Sequence, residues 1–105
     1  MKCAVVMTGA SLAMAIVAGG AFADGKSVWE ATCSTCHLYG VSGAPKMGDK
    51  EAWKDRIAQG NDMLYEHALK GFQGKAGTMP AKGGFPNLSD AEVKSAVDYM
   101  VGQSK

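Results

Sequence analysis

The sequence predicts a compact all-α domain of about four helices packed around a bound group. Three observations carry that expectation. No segment alternates apolar and polar residues long enough to make a strand. Four stretches repeat apolar residues at helical spacing and open or close on helix punctuation. Setting aside an N-terminal leader of 23 residues leaves 82 of the 105, and these hold eleven glycines. A chain so short and so rich in glycine lacks the core to stand alone, and small domains of this kind need a disulfide, a metal or a cofactor.

The leader comes first. Met1 and Lys2 make a short positive start, and Cys3 to Ala23 carries no charge. The apolar run ends in Gly19-Gly20, and Ala21-Phe22-Ala23 is an A-x-A cleavage signature. Residues 1–23 therefore read as a secretory signal peptide, with 24–105 as the mature domain. The competing reading is an uncleaved anchor, since twenty-one uncharged residues can span a bilayer. The run is rich in alanine and contains Thr8, Gly9 and Ser11, which weakens insertion. Cleavage also removes Cys3, leaving Cys33 and Cys36, and brings ten basic side chains level with ten acidic ones. A net charge of zero argues against nucleic acid as a partner. The apolar content of 47% argues against disorder.

The helices follow in order. The first is expected from about Ser27 to Cys36, where Ser27 and Glu30 fit a capping box. The second runs from about Asp49 to Gln59 and stops at Gly60, with Trp53 and Ile57 on one face. The third runs from about Asp62 to Lys70, capped by Asn61 and stopped by Gly71. The last begins at Ser89 with Glu92 three residues on, and repeats apolar residues at Val93, Ala96, Val97 and Met100. Phe72 to Leu88, with four glycines and two prolines, reads as a loop, and a loop this long in so small a domain is functional or disordered.

The chemistry is concentrated in Cys33-Ser34-Thr35-Cys36-His37, a C-x-x-C-H attachment signature for c-type haem. Residues three apart on a helical turn share a face. Both thiols can therefore meet one edge of a porphyrin and form thioethers with its two vinyl groups, and His37 follows at once to reach the iron. Three other readings compete. A thioredoxin-like dithiol belongs in a βαβ pattern that this sequence lacks. A zinc site needs four ligands, for which Cys33, Cys36, His37 and His67 are the available set. A Cys33–Cys36 disulfide closes too small a loop to constrain much.

A sixth iron ligand must come from elsewhere, and Met79 is the leading candidate. It lies in Gly77-Thr78-Met79-Pro80, where loop backbone can pass close to a haem face and Pro80 stiffens the chain just after the ligand. Met100 belongs to the apolar stripe of the last helix, and Met63 lies near a helix start; both read as core fillers. Met47 follows His37 by ten residues, on a segment suited to support that side. His67 would give bis-histidine ligation, but it sits in the middle of a helix. A ligating histidine gives its other N–H to an acceptor, and a carbonyl of Ser42-Gly43-Ala44-Pro45 is a candidate; the segment also reads as a plain turn. Trp53 and Arg56 share a face and could reach a haem propionate, although Trp53 reads first as core. Trp29 and Tyr99 are expected to pack where the first and last helices cross.

The mature chain resembles the class I c-type cytochromes, and within them the small bacterial cytochrome c5 group. The resemblance rests on Cys33-Ser-Thr-Cys-His37, Gly43-Ala-Pro-Lys46 with Gly48-Asp49, and Trp53. It rests further on Met79-Pro-Ala-Lys-Gly-Gly84, Ser89-Asp-Ala-Glu92 and Val97-Asp-Tyr-Met100. It implies a compact helical fold around one covalent haem c, with His37 and Met79 as axial ligands. It also implies a periplasmic electron carrier serving a membrane-bound, quinol-linked donor and a terminal oxidase or reductase. Some relatives carry a cysteine pair after the methionine loop; Phe85-Pro86-Asn87 has none, so no disulfide is carried over.

Two axial ligands leave no open site at the iron, so a carrier is expected rather than an enzyme. The alternative is a haem enzyme or gas sensor with a labile sixth ligand. His/Met ligation raises the potential relative to bis-His. Partners should dock briefly through a small interface. Lys46, Lys75 and Lys82 could steer an acidic partner, or simply be solvated. A monomer without membrane insertion after cleavage is expected.

Overall fold

The computed structural model describes residues 24–105; the leader reading for 1–23 lies outside them. Gly25–Val28, Trp29–Cys33 and Ser34–His37 run end to end as one helix, α1. It starts earlier than the Ser27–Glu30 pattern suggests. Asp24 is the N-cap, and its carboxylate accepts the Ser27 backbone N–H at 2.7 Å. Ser27 thus lies inside the first turn. The helix also runs one residue past Cys36, to His37.

The middle of α1 is a π-turn, in which the Ser34 N–H reaches back to the Trp29 carbonyl. Hydroxyls take the neighbouring carbonyls: Thr32 Oγ1 donates to Val28 O and Ser34 Oγ to Glu30 O, both at 2.7 Å. Side-chain bonds of this kind compete with the helical ladder. Such bulges recur at functional sites, and this one leads directly into the two cysteines.

A 3-10 turn at Val41–Gly43 follows, then α2 (Lys50–Ala58), capped by Asp49. The third helix, α3 (Asn61–Lys70), takes Gly60 as its cap, so Asn61 is its first residue rather than its cap. The last, α4 (Asp90–Ser104), opens on a complete capping box between Ser89 and Glu92. The stretch read as a loop carries two short strands, β1 (Phe72–Gln73) and β2 (Thr78–Met79). They pair antiparallel, Phe72 opposite Met79 and Gln73 opposite Thr78. Two residues are too few to show an alternating pattern, which is why the sequence hides them. A 3-10 turn at Ala81–Gly84 leads on toward α4.

The core lies where α1 and α3 pack on α4. Val28, Trp29, Trp53, Leu64, Ala68, Val93, Ala96, Val97, Met100 and Val101 are buried together. Each large apolar side chain there contributes about 1.5–3 kcal/mol. Trp29 meets Tyr99 edge to face at 6.0 Å between ring centres, as expected for the crossing of the first and last helices. Its indole N–H donates to Met100 Sδ at 3.2 Å. At the far end of α4, buried Ser104 accepts the Gly48 N–H and donates to the Met100 carbonyl. The α2 approach is thereby tied to the same helix. No described helix is long and apolar enough to cross a membrane.

Candidate functional site

One cavity of about 430 Å³ opens beside α1. Cys33, Cys36 and His37 reach it from the end of that helix, and Met79 reaches it from β2. Pro45, Trp53 and Arg56 line it too. Leu64, Ala68, Val93, Val97 and Met100 give it an apolar floor from α3 and α4. The structure therefore brings all seven sequence-derived site residues around one space.

His37 is buried, and its Nδ1 lies 2.8 Å from the Pro45 carbonyl. A carbonyl can only accept, so Nδ1 carries the proton and Nε2 keeps a lone pair. Burial lowers the pKa of the ring, and the nearby Arg56 charge adds to this; the Pro45 bond opposes it. The imidazole is thus held neutral, as a ligand must be. The Met47 N–H donates to the His37 carbonyl at 2.9 Å, so the 45–47 segment supports this residue from both ring and backbone. Trp53 packs 6.1 Å from the imidazole, and its indole N–H donates to Lys46 O at 2.8 Å. Its donor is therefore spent on shaping the same segment. The Arg56 guanidinium donates to Ala52 O within its own helix.

Cys33 and Cys36 are free thiols, each half-buried. Burial pushes the Cys33 thiol up, offset in part by Thr32. The Thr32 hydroxyl donates to Val28 O and lies 3.4 Å from Cys33 Sγ, within hydrogen-bond reach of the sulfur. Thr32 is a contact that sequence reasoning missed. Its only signal was its place beside the first cysteine.

The other methionines have different occupations. Met100 also borders the cavity, but its sulfur accepts from Trp29. Met63 is exposed, and Met47 packs against the core. His67 borders the cavity and stacks on Phe72 at 4.1 Å. Among the described residues no group of three or more His, Cys, Asp or Glu side chains is arranged to hold a metal ion. The cavity falls within the range of about 300–1,000 Å³ usual for bound small molecules. An apolar space, two free thiols at one helix end and an imidazole with an unprotonated Nε2 fit a covalently held porphyrin.

Of the three lysines named from sequence, Lys46 and Lys75 are exposed. Lys82 is not a free charge: its Nζ donates to Leu88 O at 2.7 Å and lies 3.3 Å from Asp90. Two glycine contacts across the cavity mouth also escaped the sequence. A Cβ on Gly43 would meet Ala76 O at 1.8 Å, and one on Gly77 would meet Ser42 O at 2.1 Å. The loop behind His37 and the loop ahead of Met79 therefore touch backbone to backbone.

Comparison with known proteins points the same way. Residues 20–100 match the family described as cytochrome C oxidase, cbb3-type, subunit III. Cytochrome c-555 of Chlorobaculum tepidum is 52% identical, over 94% of this chain and 93% of its own. Cytochrome c5 of Azotobacter vinelandii is 40% identical, over 80% of this chain and 99% of its own. A structure titled as an electron transfer complex of nitrite reductase with cytochrome c contains a chain 40% identical to this one. It superposes with a TM-score of 0.69 over 77% of this chain and 94% of that one. With this ancestry, this helical frame and a single C-x-x-C-H, the chain belongs to the small class I c-type cytochromes, electron carriers with one covalently attached haem.

Proposed function

We propose that this cytochrome is exported to the periplasm and carries single electrons in a respiratory chain, with Cys33 and Cys36 as thioether anchors and His37 and Met79 as axial ligands. One observation carries the reading: four side chains able to bind a haem meet at one apolar cavity, three from the end of α1 and the fourth from β2. The haem, when bound, supplies an iron that gains and gives up one electron. The protein's part is to hold that iron's surroundings constant in both states. Pro45 fixes the orientation of His37, the α3 and α4 side chains exclude water, and the short β pair holds Met79. Leu38, Tyr39 and Val41 follow the attachment motif directly and are 48%, 77% and 48% exposed. Exposed apolar side chains beside a redox centre suit brief docking on a protein partner. The nitrite reductase complex of the structural neighbour supports a reductase as one acceptor.

Expression in a cell able to attach haem tests the reading. The expected product is a coloured periplasmic protein that begins at Asp24 and carries one haem in its mass. Its ferric spectrum should show the long-wavelength sulfur-to-iron band, and its reduced form should not bind carbon monoxide readily. A colourless product with full helical content would overturn the assignment. For Cys33→Ala, the expected result is poor haem attachment and little folded protein, measured as holoprotein yield; an undiminished yield would contradict the anchoring role.

A further inference from the structure

Among the described residues only two side chains other than glycine adopt positive φ, Ser42 at 55° and Lys82 at 52°. Both border the haem cavity. Left-handed backbone at such residues persists only where the surroundings enforce it. For Lys82 the enforcement is visible. It sits three residues after Met79, at the 3-10 turn Ala81–Gly84. The Gly83 N–H donates to Pro80 O, and the Phe85 N–H donates to Lys82 O, so the turn is closed on both sides. The lysine side chain is only 24% exposed. Its ammonium reaches forward to the Leu88 carbonyl at 2.7 Å and to Asp90 at 3.3 Å, in the first turn of α4. A lysine on an open loop gains little from a fixed position, because ordering its long side chain costs entropy. Here it joins the methionine loop to the helix that floors the cavity.

We propose that Lys82 is a positioning residue for the axial thioether: its tether to Leu88 and Asp90 keeps the Met79 loop closed on the haem. The inference rests on Met79 being the sixth ligand. Without the tether, the turn has backbone bonds but no link to α4 through this side chain, so the loop opens more often. Each opening exposes the iron to a competing ligand. The carbonyl bond should matter more than the bridge to Asp90. It is the shorter of the two, and the Asp90 carboxylate is largely exposed, where ion pairs contribute little.

The test uses ferric holoprotein and titrates imidazole against the sulfur-to-iron band. Lys82→Met keeps the bulk and the strained backbone but loses the ammonium. Lys82→Gly relieves the strain and loses the ammonium as well. Both are expected to surrender the band at about tenfold less imidazole than the parent, the lower end of what a hydrogen bond to a charged group is worth. Asp90→Asn should shift the midpoint by less than about threefold. If only backbone strain mattered, Lys82→Gly would hold the band as well as the parent or better, and that result overturns the tether. So does a midpoint unmoved in both Lys82 variants. A parent protein with no such band, or a Met79→Ala variant that retains it, removes the Met79 assignment and the tether together. A parent band that the Lys82 variants leave unmoved removes the tether alone.

Discussion

Met79→Ala gives a folded, coloured protein whose ferric spectrum has lost the long-wavelength sulfur band, whose reduced form binds carbon monoxide, and which gains peroxidase activity. The fold survives because the side chain contributes little to it. Met79 holds its place through main-chain pairing with Phe72, which alanine preserves, and its side chain is only half-buried. The cost in stability should therefore fall below the roughly 2–5 kcal/mol of a fully buried methionine. Among the described residues no other methionine is ready to take over: the sulfur of Met100 accepts from Trp29, Met47 packs against the core, and Met63 is exposed. His67 stands at the cavity wall with its ring stacked on Phe72. The sixth position is thus left to water or added ligand. The midpoint potential should fall, since a thioether favours ferrous iron. A fall on the order of 0.1 V is expected, a modest part of the roughly 0.8 V that axial ligation can span. Spectra identical to the parent would transfer the ligand role to another residue.

What the sequence showed, it showed through short-range chemistry. C-x-x-C-H declares itself because thioether attachment and iron ligation are set within one helical turn, and the structure places that turn at the cavity. Ser89 with Glu92 and the stripe from Val93 to Met100 are equally local, and α4 carries both as read. The first helix misled for the same reason. Ser27 and Glu30 imitate a capping box, whereas Asp24, one turn earlier, holds the Ser27 amide. Features built across distance left no trace. Phe72 and Met79 pair through two residues each, too short a run to signal a strand. Lys82 looks like any surface lysine until Leu88 and Asp90 are folded against it. The contact of Gly43 with Ala76 depends on two loops that only the completed fold brings together.

That contact sets up the second large effect. Gly43→Ala is expected to destabilise the holoprotein by about 3 kcal/mol or more, a large part of the roughly 5–15 kcal/mol that holds a domain folded. Two costs add. Gly43 has φ +80, and a left-handed alanine costs about 1–2 kcal/mol. Its Cβ would also lie 1.8 Å from the Ala76 carbonyl oxygen, which is main chain and cannot swing aside. Relief requires the two loops to part. One leads within two residues to Pro45, which orients His37; the other leads within two residues of Gly77 to Met79. Both proposed ligands should therefore loosen, so the sulfur band should yield to less imidazole as well as to less denaturant. Gly60→Ala separates the two costs. Gly60 has φ +91 and nothing within 4 Å of the added Cβ, so it should show a conformational cost alone, about 1–3 kcal/mol for backbone that only glycine adopts freely. Gly77→Ala breaks the same seam from the other side, against Ser42 O at 2.1 Å. Once one substitution has parted the loops, the second has less to break. The double variant should thus fall short of the summed single penalties by more than the roughly 0.3–0.5 kcal/mol scatter of independent sites. Denaturant midpoints at constant slope measure all four variants. Strict additivity, or a Gly43→Ala penalty no larger than that of Gly60→Ala, would mean that the loops can separate without cost and that closure of the cavity depends on other contacts.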